Sequence, residues 1–397
     1  MHNFWDLVAA WDAYLEPDYD VDLGLTEEHL KYQLVLLRGH EEFQKKHEEQ
    51  YSLIVEGTFA NVVATSMARM PNANTVQIEG SIDRPRHGYD PAIILSDMDV
   101  LERFITDAYG WENIEGFDGH RHRRRPLELL PAKLLSQLPI TIHQAGASIR
   151  HLSIGCFPTM SNYLMLCPGE KHLRDPVWDD LHDACQGFAS FAIGRDGMND
   201  QPHRDGQILR AKRQYINKFL TTMLSGQGLE DVEVSLRTLG LEDGSTNTKD
   251  YYYIGPALRS ANWPRIKNVR LRHLSLTQDQ VDHFCNGLGD HLTILELASV
   301  QLKKGSWAGA LDVLRDRLQT RSDQKECQVW LPDIYDGEFG QPEVNPNPRY
   351  GFLEALEKTD WDLVAQSEKY LLGDEYVAKN PLREGDADVL DQIWIDF

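Results

Sequence analysis

One apolar spacing occurs twice in the last third of the chain, and it constrains the fold more than any other feature. In each copy, five aliphatic residues are separated by steps of 3, 2, 3 and 2: Ile266, Val269, Leu271, Leu274 and Leu276, then Leu292, Leu295, Leu297, Val300 and Leu302. The second copy begins 26 residues after the first. Around the middle of each copy apolar and polar residues alternate, which is typical of a short, half-buried strand. Repeated strands of this kind predict units that bury their apolar faces by stacking.

A helix is predicted after each of these two strands. Thr277 and Gln280 form a capping box, which marks a helix start. The apolar residues that follow at helical spacing are Val281, Phe284, Cys285 and Leu288. After the second strand Ser306 is a candidate N-cap, and the apolar residues behind it are Trp307, Ala310, Leu311, Leu314 and Leu318. Because strand and helix alternate, we expect parallel strands with right-handed crossovers.

Weaker copies of the first half of the spacing lie upstream and downstream of this pair. They are Ala73/Val76/Ile78, Ile149/Leu152/Ile154, Phe188/Phe191/Ile193, Leu229/Val232/Val234 and a last candidate, Val329/Leu331. The full spacing is typical of leucine-rich repeats, here with an aliphatic residue in place of the usual Asn. The sequence therefore predicts an α/β fold, an irregular leucine-rich-repeat solenoid with parallel strands and outer helices. Its strands should be centred near Ile78, Ile154, Ile193, Val234, Leu271 and Leu297.

The chain is predicted to have three parts. Residues 1–70 form an N-terminal helical segment, with helices over about 26–50 and 58–70, and residues 71–333 hold the repeats, with an insertion at about 80–125. Residues 334–397 form an acidic C-terminal cap of loop and helices, including one from Thr359 to about Leu372 that ends at Gly373. In the helix over 58–70, one face should carry Phe59, Val62, Val63, Ser66, Met67 and Met70.

Composition excludes several classes of partner. The net charge of −22 argues against nucleic acid and anionic membranes, because both attract basic surfaces. No apolar run has the length of a membrane span, and the N-terminus lacks the basic lead of a signal peptide. The cysteines show no C-x-x-C spacing and predict reduced, mostly buried thiols: Cys156, Cys167, Cys185, Cys285 and Cys327. We therefore expect an intracellular protein, cytoplasmic or nuclear, without a cofactor or a metal site.

The strongest repeats also carry a family resemblance. Residues 263–271 (WPRIKNVRL), residues 292–308 and residues 70–78 resemble three repeat units of filamentous-fungal F-box/leucine-rich-repeat proteins. The resemblance implies repeats that present a substrate to a ubiquitin ligase, while a separate N-terminal F-box binds a Skp1-type adaptor. Residues 1–25 contain no F-box pattern, and Leu130-Pro131-Ala132-Lys133-Leu134-Leu135 matches only its opening. We therefore expect a repeat scaffold that does not bind the adaptor.

The alternation along each strand also predicts a binding surface. The central outward-facing residues should be Gln77, Ser153, Ala192, Glu233, Arg270 and Glu296. The candidate site on this concave face consists of Lys267, Arg270, Arg272, His273, Glu296 and Glu233. Because its centre should be locally basic, a protein partner with an acidic patch is expected to dock near Arg270 and Arg272. Alternatively, the two arginines pair with Glu233 and Glu296 across the sheet.

Two other functions stay open. One is an enzyme or biosynthetic accessory protein whose site is not visible as a motif, and the other is a ubiquitin-ligase substrate receptor with a divergent or missing F-box. The spacing of Asp97 and Asp99 matches some metal-binding transferases, and His120 to Arg125 is a basic run that suits nuclear import, phosphate binding or a solvated loop. The triplet at 203–205 matches a kinase catalytic loop, but the other kinase motifs are missing. No catalytic residue is therefore predicted.

Overall fold

The computed structural model describes Lys45 and residues 48–50, 52–78, 131–155, 166–169, 173–194, 210–236, 241–243, 248–320, 327–339 and 361–383. The predicted insertion at 80–125, the pair Asp97/Asp99, the basic run from His120 and the triplet at 203–205 lie outside these residues, as does most of the helix expected over 26–50. The division of the chain at 70 and 333 stays a prediction.

The described residues contain ten strands, of which seven form one parallel path. The strands are β1 (Thr75–Ile78), β2 (His151–Ile154), β3 (Ser190–Ile193), β4 (Asp231–Ser235), β5 (Leu241–Asp243), β6 (Thr248–Asp250), β7 (Tyr252–Tyr253), β8 (Asn268–Thr277), β9 (Ile294–Lys304) and β10 (Gln328–Trp330). The main sheet has the order β1-β2-β3-β4-β8-β9-β10, with β7 paired beside the second half of β8. Strands β5 and β6 form a separate antiparallel pair. The main sheet is open, and each strand on its path lies beside the one before it. The predicted parallel pairing of the strands at Leu271 and Leu297 is confirmed.

A row of backbone hydrogen bonds aligns the point where each strand of the path begins. The N–H of Arg150 donates to the carbonyl of Asn74, and the N–H of Ala189 donates to the carbonyl of Arg150. The same step continues through Glu230, Lys267, Thr293 and Gln328, with donor–acceptor distances of 2.6 to 2.8 Å. All seven strands therefore enter the sheet in the same register.

The helices lie in chain order beside the sheet. They are α1 (Thr58–Ala68), α2 (Pro131–Gln144), α3 (Val177–Cys185), α4 (Arg210–Met223), α5 (Gly255–Arg259), α6 (Gln278–Gly287), α7 (Trp307–Gln319) and α8 (Trp361–Leu372). Each helix contacts the next one along the chain, so they form a layer that packs on the sheet. The core between the layers includes the fully buried rings of Trp178, Trp263 and Trp307. The predicted α/β class is therefore confirmed.

The predicted helix ends agree with the structure. The Oε1 atom of Gln280 accepts a hydrogen bond of 2.9 Å from the Thr277 N–H, as the capping box requires. Ser306 Oγ accepts one of 3.3 Å from the Gly309 N–H at the start of α7. Helix α8 ends at Gly373, whose φ of 75° lies in the left-handed region that glycine adopts without strain.

The apolar spacing of β8 and β9 has a backbone cause. Val269 and Leu271 point into the core, and two-residue alternation would place residue 273 there next. Instead His273 has a φ of 53°, which shifts the alternation by one residue, so that Leu274 and Leu276 are buried. Ser299 holds the same position in β9, with a φ of 52°. The step of 3 in each copy therefore marks this bend.

The buried face of α1 agrees only in part with the predicted one. Phe59, Val62 and Met70 are exposed, whereas the buried residues are Ala60, Ala64 and Met67. These residues lie four and three positions apart, which places them on one side of the helix. The small side chains of Ala60 and Ala64 allow α1 to pack closely on α2. Of the predicted residues, Met67 is buried and Val63 is partly buried.

The connections differ in length at the two ends of the strands. Returns from a helix to the next strand are short, for example residues 145–150, 186–189 and 288–293. Connections from a strand to the next described helix vary from none between β8 and α6, which are adjacent in sequence, to residues 79–130 between β1 and α2. The variation in repeat length therefore lies mainly after the strands.

Candidate functional site

One row of side chains crosses the sheet on the face opposite the helices. Backbone pairing joins the predicted residues in the order Gln77, Ser153, Ala192, Glu233, Arg270 and Glu296. The pairing of β10 with β9 adds Trp330, which lies beside Glu296. Trp330 stands between Val329 and Leu331 of the last candidate copy, so the same alternation could have identified it from sequence. The row therefore spans all seven strands of the path.

The row is not uniformly exposed, contrary to the prediction. Gln77 is exposed at one end and Trp330 is 42% exposed at the other. In the middle, Ala192 is 5% exposed and Glu233 is 7% exposed. Both lie on central strands with neighbours on two sides, and the Arg272 side chain reaches over to Glu233. A partner on this face would therefore find its most accessible contacts at the two ends.

A network of ion pairs occupies the centre of the row. The Arg272 guanidinium donates to both carboxylate oxygens of Glu296, from Nε at 2.5 Å and from Nη2 at 2.9 Å. Its Nη1 donates to Glu233 Oε1 at 3.1 Å. Paired hydrogen bonds of this kind are stronger and more directional than single ones. Arg272 thus connects three neighbouring strands.

Arg270 is also compensated by acidic neighbours. Its Nη1 lies 3.6 Å from Asp231 Oδ1, and its Nε lies 3.7 Å from Glu296 Oε2. The centre of the row therefore carries two arginines among three carboxylates and is not locally basic, unlike the prediction. The structure instead has the alternative arrangement, in which the arginines pair across the sheet.

The other two predicted residues lie at the borders of this network. Lys267 Nζ binds Glu230 Oε2 at 2.6 Å, next to the point where β8 begins. This hydrogen bond is the main reason that the pKa of Glu230 is lowered. His273 lies at the bend of β8, where its Nδ1 is 3.1 Å from Ser235 Oγ. The structure thus brings Arg270, Arg272, Glu233 and Glu296 together and leaves Lys267 and His273 at the edge.

A cleft of about 340 Å³ opens at the Trp330 end of the row. It is lined by Glu296, Trp330, Pro332, Val364, Ala365 and Glu368. The last three residues belong to α8, which contacts both β10 and α7. Glu368 Oε1 accepts a hydrogen bond of 2.8 Å from the Leu331 N–H, which joins α8 to the edge of the sheet. No residue of this cleft except Glu296 belongs to the predicted site.

Polar contacts around Asp312 hold the wall of this cleft in place. Tyr370 Oη and Asn380 Nδ2 each donate to Asp312 Oδ1 at 2.6 Å, and the Arg383 guanidinium binds its other oxygen. Burial alone would raise the pKa of the Asp312 carboxyl, but these hydrogen bonds outweigh it and lower that pKa. The segment 361–383 is therefore fixed to α7 at several points.

The described residues offer little for catalysis or metal binding. Burial raises the pKa of the Cys185 and Cys285 thiols, so neither is a ready nucleophile. Within the ranges given above, no group of three His, Cys, Asp or Glu side chains could hold a metal ion. None of the helices described has the length and hydropathy to cross a bilayer.

Comparison with known proteins gave no family for this chain. No protein-family model matches it, and neither does any curated protein. The functional interpretation therefore depends on the row, the ion-pair network and the cleft.

Proposed function

We propose that this chain is a non-catalytic scaffold that binds a protein partner on the sheet face opposite the helices. The observation that carries the proposal is the row from Gln77 to Trp330, which stays in register over seven strands. A surface of this kind presents side chains at regular intervals without enclosing a ligand, which suits recognition of another macromolecule.

The finer part of the proposal is that the fold is an irregular leucine-rich-repeat solenoid with this face concave. The proposal is supported by strands that follow the chain order, by helices that each contact the next one along the chain, and by the repeated bend at His273 and Ser299. The same observations suit the proposed relationship to filamentous-fungal F-box/leucine-rich-repeat proteins. The protein would then work in the cytoplasm or the nucleus.

The ion pairs change which part of the face we expect to contact the partner. An acidic patch docking on Arg272 would have to displace Glu296 and Glu233, which already satisfy the guanidinium. Exchanging one set of carboxylates for another gives little net free energy. The arginine network would therefore position neighbouring strands, and the accessible ends of the row would make the contacts.

Site-specific crosslinking in cells tests this proposal. The photoreactive residue p-benzoylphenylalanine would replace Gln77 or Trp330 on the face, and Asp180 or His283 on the helices as controls, since both controls are exposed. We expect one defined adduct from the face positions, identified by mass spectrometry, that is missing from the helix positions. Equal adducts from both sets, or none from the face, would contradict the proposal.

Binding of a Skp1-type adaptor is tested separately. We expect the purified chain to elute apart from a purified Skp1-type adaptor in size-exclusion chromatography, because residues 1–25 carry no F-box pattern. A stoichiometric complex would instead support the ubiquitin-ligase receptor. Nucleic acid and anionic membranes are not proposed as partners, because the net charge of −22 repels both.

A further inference from the structure

The cleft beside Trp330 combines three kinds of surface. Trp330 is 42% exposed, although tryptophan is usually well covered in a folded chain. Val364, Ala365 and Pro332 provide apolar walls around it. Glu296 and Glu368 provide carboxylates at its border. A cleft with an aromatic ring, aliphatic walls and carboxylates selects its ligand by both shape and charge.

The two carboxylates are not equivalent. Glu296 already binds the Arg272 guanidinium through both oxygens, so its charge is compensated. Glu368 accepts one hydrogen bond, from the Leu331 N–H, through Oε1. In the part of the chain that the structure describes, no cation pairs with Glu368. The negative charge that faces the cleft therefore comes mainly from Glu368.

These surfaces favour a cation with an apolar stem. An anion would be repelled, and a wholly apolar group would remove water from Glu368 without replacing its hydrogen bonds. A guanidinium can stack flat on an indole while it donates hydrogen bonds to a carboxylate. The methylenes of the same side chain can lie against Val364 and Ala365. A cleft of about 340 Å³ accommodates one such side chain rather than a folded element.

We propose that this cleft binds an arginine side chain of the protein partner. This inference rests on the proposed function, since it names the chemistry of a partner that lies on the same face. Arginine is preferred to lysine because a compact ammonium cannot stack on the ring and is more strongly hydrated. The net charge of −22 would attract such a basic partner from a distance.

The probe is the peptide acetyl-Gly-Arg-Gly-amide, and its citrulline analogue is the control with the same shape and no charge. The protein would be labelled with 5-fluorotryptophan, and Trp330→Phe would identify the Trp330 signal by fluorine NMR. We expect the arginine peptide to shift that signal in a saturable manner. The citrulline analogue should not shift the Trp330 signal. A peptide with lysine in place of arginine should bind more weakly than the arginine peptide. Added salt should weaken the binding.

Two matched variants test whether the charge of Glu368 is the one that binds the arginine peptide. Glu368→Gln keeps an oxygen that can accept from the Leu331 N–H, so the fold should survive, but it removes the charge. We expect Glu368→Gln to weaken the binding of the arginine peptide about tenfold, as loss of a charge-assisted hydrogen bond does. Glu375→Gln removes a charge from an exposed position of the same segment, outside the cleft, and should have no such effect.

Three results would overturn the inference: an unmoved Trp330 signal, an equal response to citrulline or lysine, or equal weakening by Glu375→Gln. The scaffold proposal would be unaffected if crosslinks from Gln77 still formed. Conversely, binding of the arginine peptide without any crosslink from Gln77 or Trp330 would leave the cleft as a site and reject the scaffold.

Discussion

The strands β8 and β9 differ from β1 to β4 although all of them enter the sheet in the same register. The first four strands have four or five residues, whereas β8 has 10 and β9 has 11. In β2 and β3 a glycine follows the last buried residue directly, at Gly155 and Gly194. Of these two glycines, Gly194 is left-handed. In β8 and β9 the residues after Leu271 and Leu297 are Arg272 and Ala298, and the left-handed residues His273 and Ser299 come one position later.

Strand β3 ends at a left-handed glycine, whereas β8 and β9 continue past a left-handed residue that lies one position later. At Gly194 the φ is 75°, and a side-chain Cβ would lie 2.1 Å from the carbonyl oxygen of Ser235, so only glycine fits. One residue later the chain tolerates His273 and Ser299, and histidine is among the residues that adopt this conformation more readily. The pairing then continues through Leu276 and Leu302.

The largest effect should come from the core of the long strands. Leu297 is buried, and Leu297→Ala should lower the free energy of unfolding by roughly 2–5 kcal/mol, the usual cost of such a cavity. Val76 lies on the edge strand β1 and is only partly buried, so Val76→Ala should cost about 1 kcal/mol or less. Urea unfolding of both variants checks the difference. Equal losses would mean that the two regions are equally well packed. A change within about 0.5 kcal/mol for Leu297→Ala would mean that Leu297 is not part of the core.

The second prediction exchanges the two kinds of bend. Gly194→Ala should destabilise the protein by about 2 kcal/mol or more, because it adds left-handed strain and a contact with the Ser235 carbonyl. Ser299→Gly should stay within about 1 kcal/mol of the wild type, since the relief of strain offsets the extra freedom of the unfolded chain. Thermal unfolding by circular dichroism measures both. A tolerated Gly194→Ala would show that the early bend does not require glycine.

The smallest effect concerns the start of α7 and depends on pH. Glu338 accepts hydrogen bonds from the Ser306 hydroxyl at 2.5 Å and from the Trp307 N–H at 2.8 Å. Burial alone would raise the pKa of the Glu338 carboxyl, but these bonds outweigh it and lower that pKa. Glu338→Gln should therefore cost about 0.5–1 kcal/mol at neutral pH, a modest value because the side chain is exposed.

The sign of this pH dependence follows from the direction of the shift. A carboxyl whose pKa is lower in the folded state stabilises the protein above its ordinary pKa of 4.5. That contribution is lost as the pH falls through the lowered folded value. The stability difference between wild type and Glu338→Gln should therefore shrink below about pH 4.5, measured by urea unfolding. A difference that stays constant down to about pH 2 would exclude the carboxylate as its source.

Local spacing predicted the seven strands of the parallel path, because each carries apolar residues two positions apart that are buried or partly buried. It did not predict β5, β6 and β7, which have only two or three residues each. It could not predict that the last copy continues to Ile334, which is buried three residues after Leu331. Pro332 and Asp333 interrupt the pattern there, and Asp333 has a φ of 57° at the same position as Ser299. For α1 the hydrophobic pattern identified Met67 but missed Ala60 and Ala64, because contact with α2 also depends on small residues that a hydrophobic pattern does not weigh.

The row of residues was predicted in position, whereas the pairing of its arginines was one of two alternatives that the sequence left open. Alternation placed Glu233, Arg270 and Glu296 in one row, and the structure agrees. Whether Arg272 points to solvent or pairs with Glu296 depends on its side-chain conformation, which the predicted order of the strands does not specify. The cleft could not be predicted, since it joins Trp330 to residues of α8 more than 30 positions away.

The unequal connections imply that the two ends of the strands tolerate insertions very differently. A residue added to a short return such as 186–189 would disturb the hydrogen bonds that align every strand start. Segments added after a strand leave those bonds intact. The Arg150 N–H still donates to the carbonyl of Asn74, although residues 79–130 lie between β1 and α2. Such a chain can therefore gain sequence repeatedly after its strands, in evolution or by the insertion of an affinity tag. The alignment of the strands would stay unchanged.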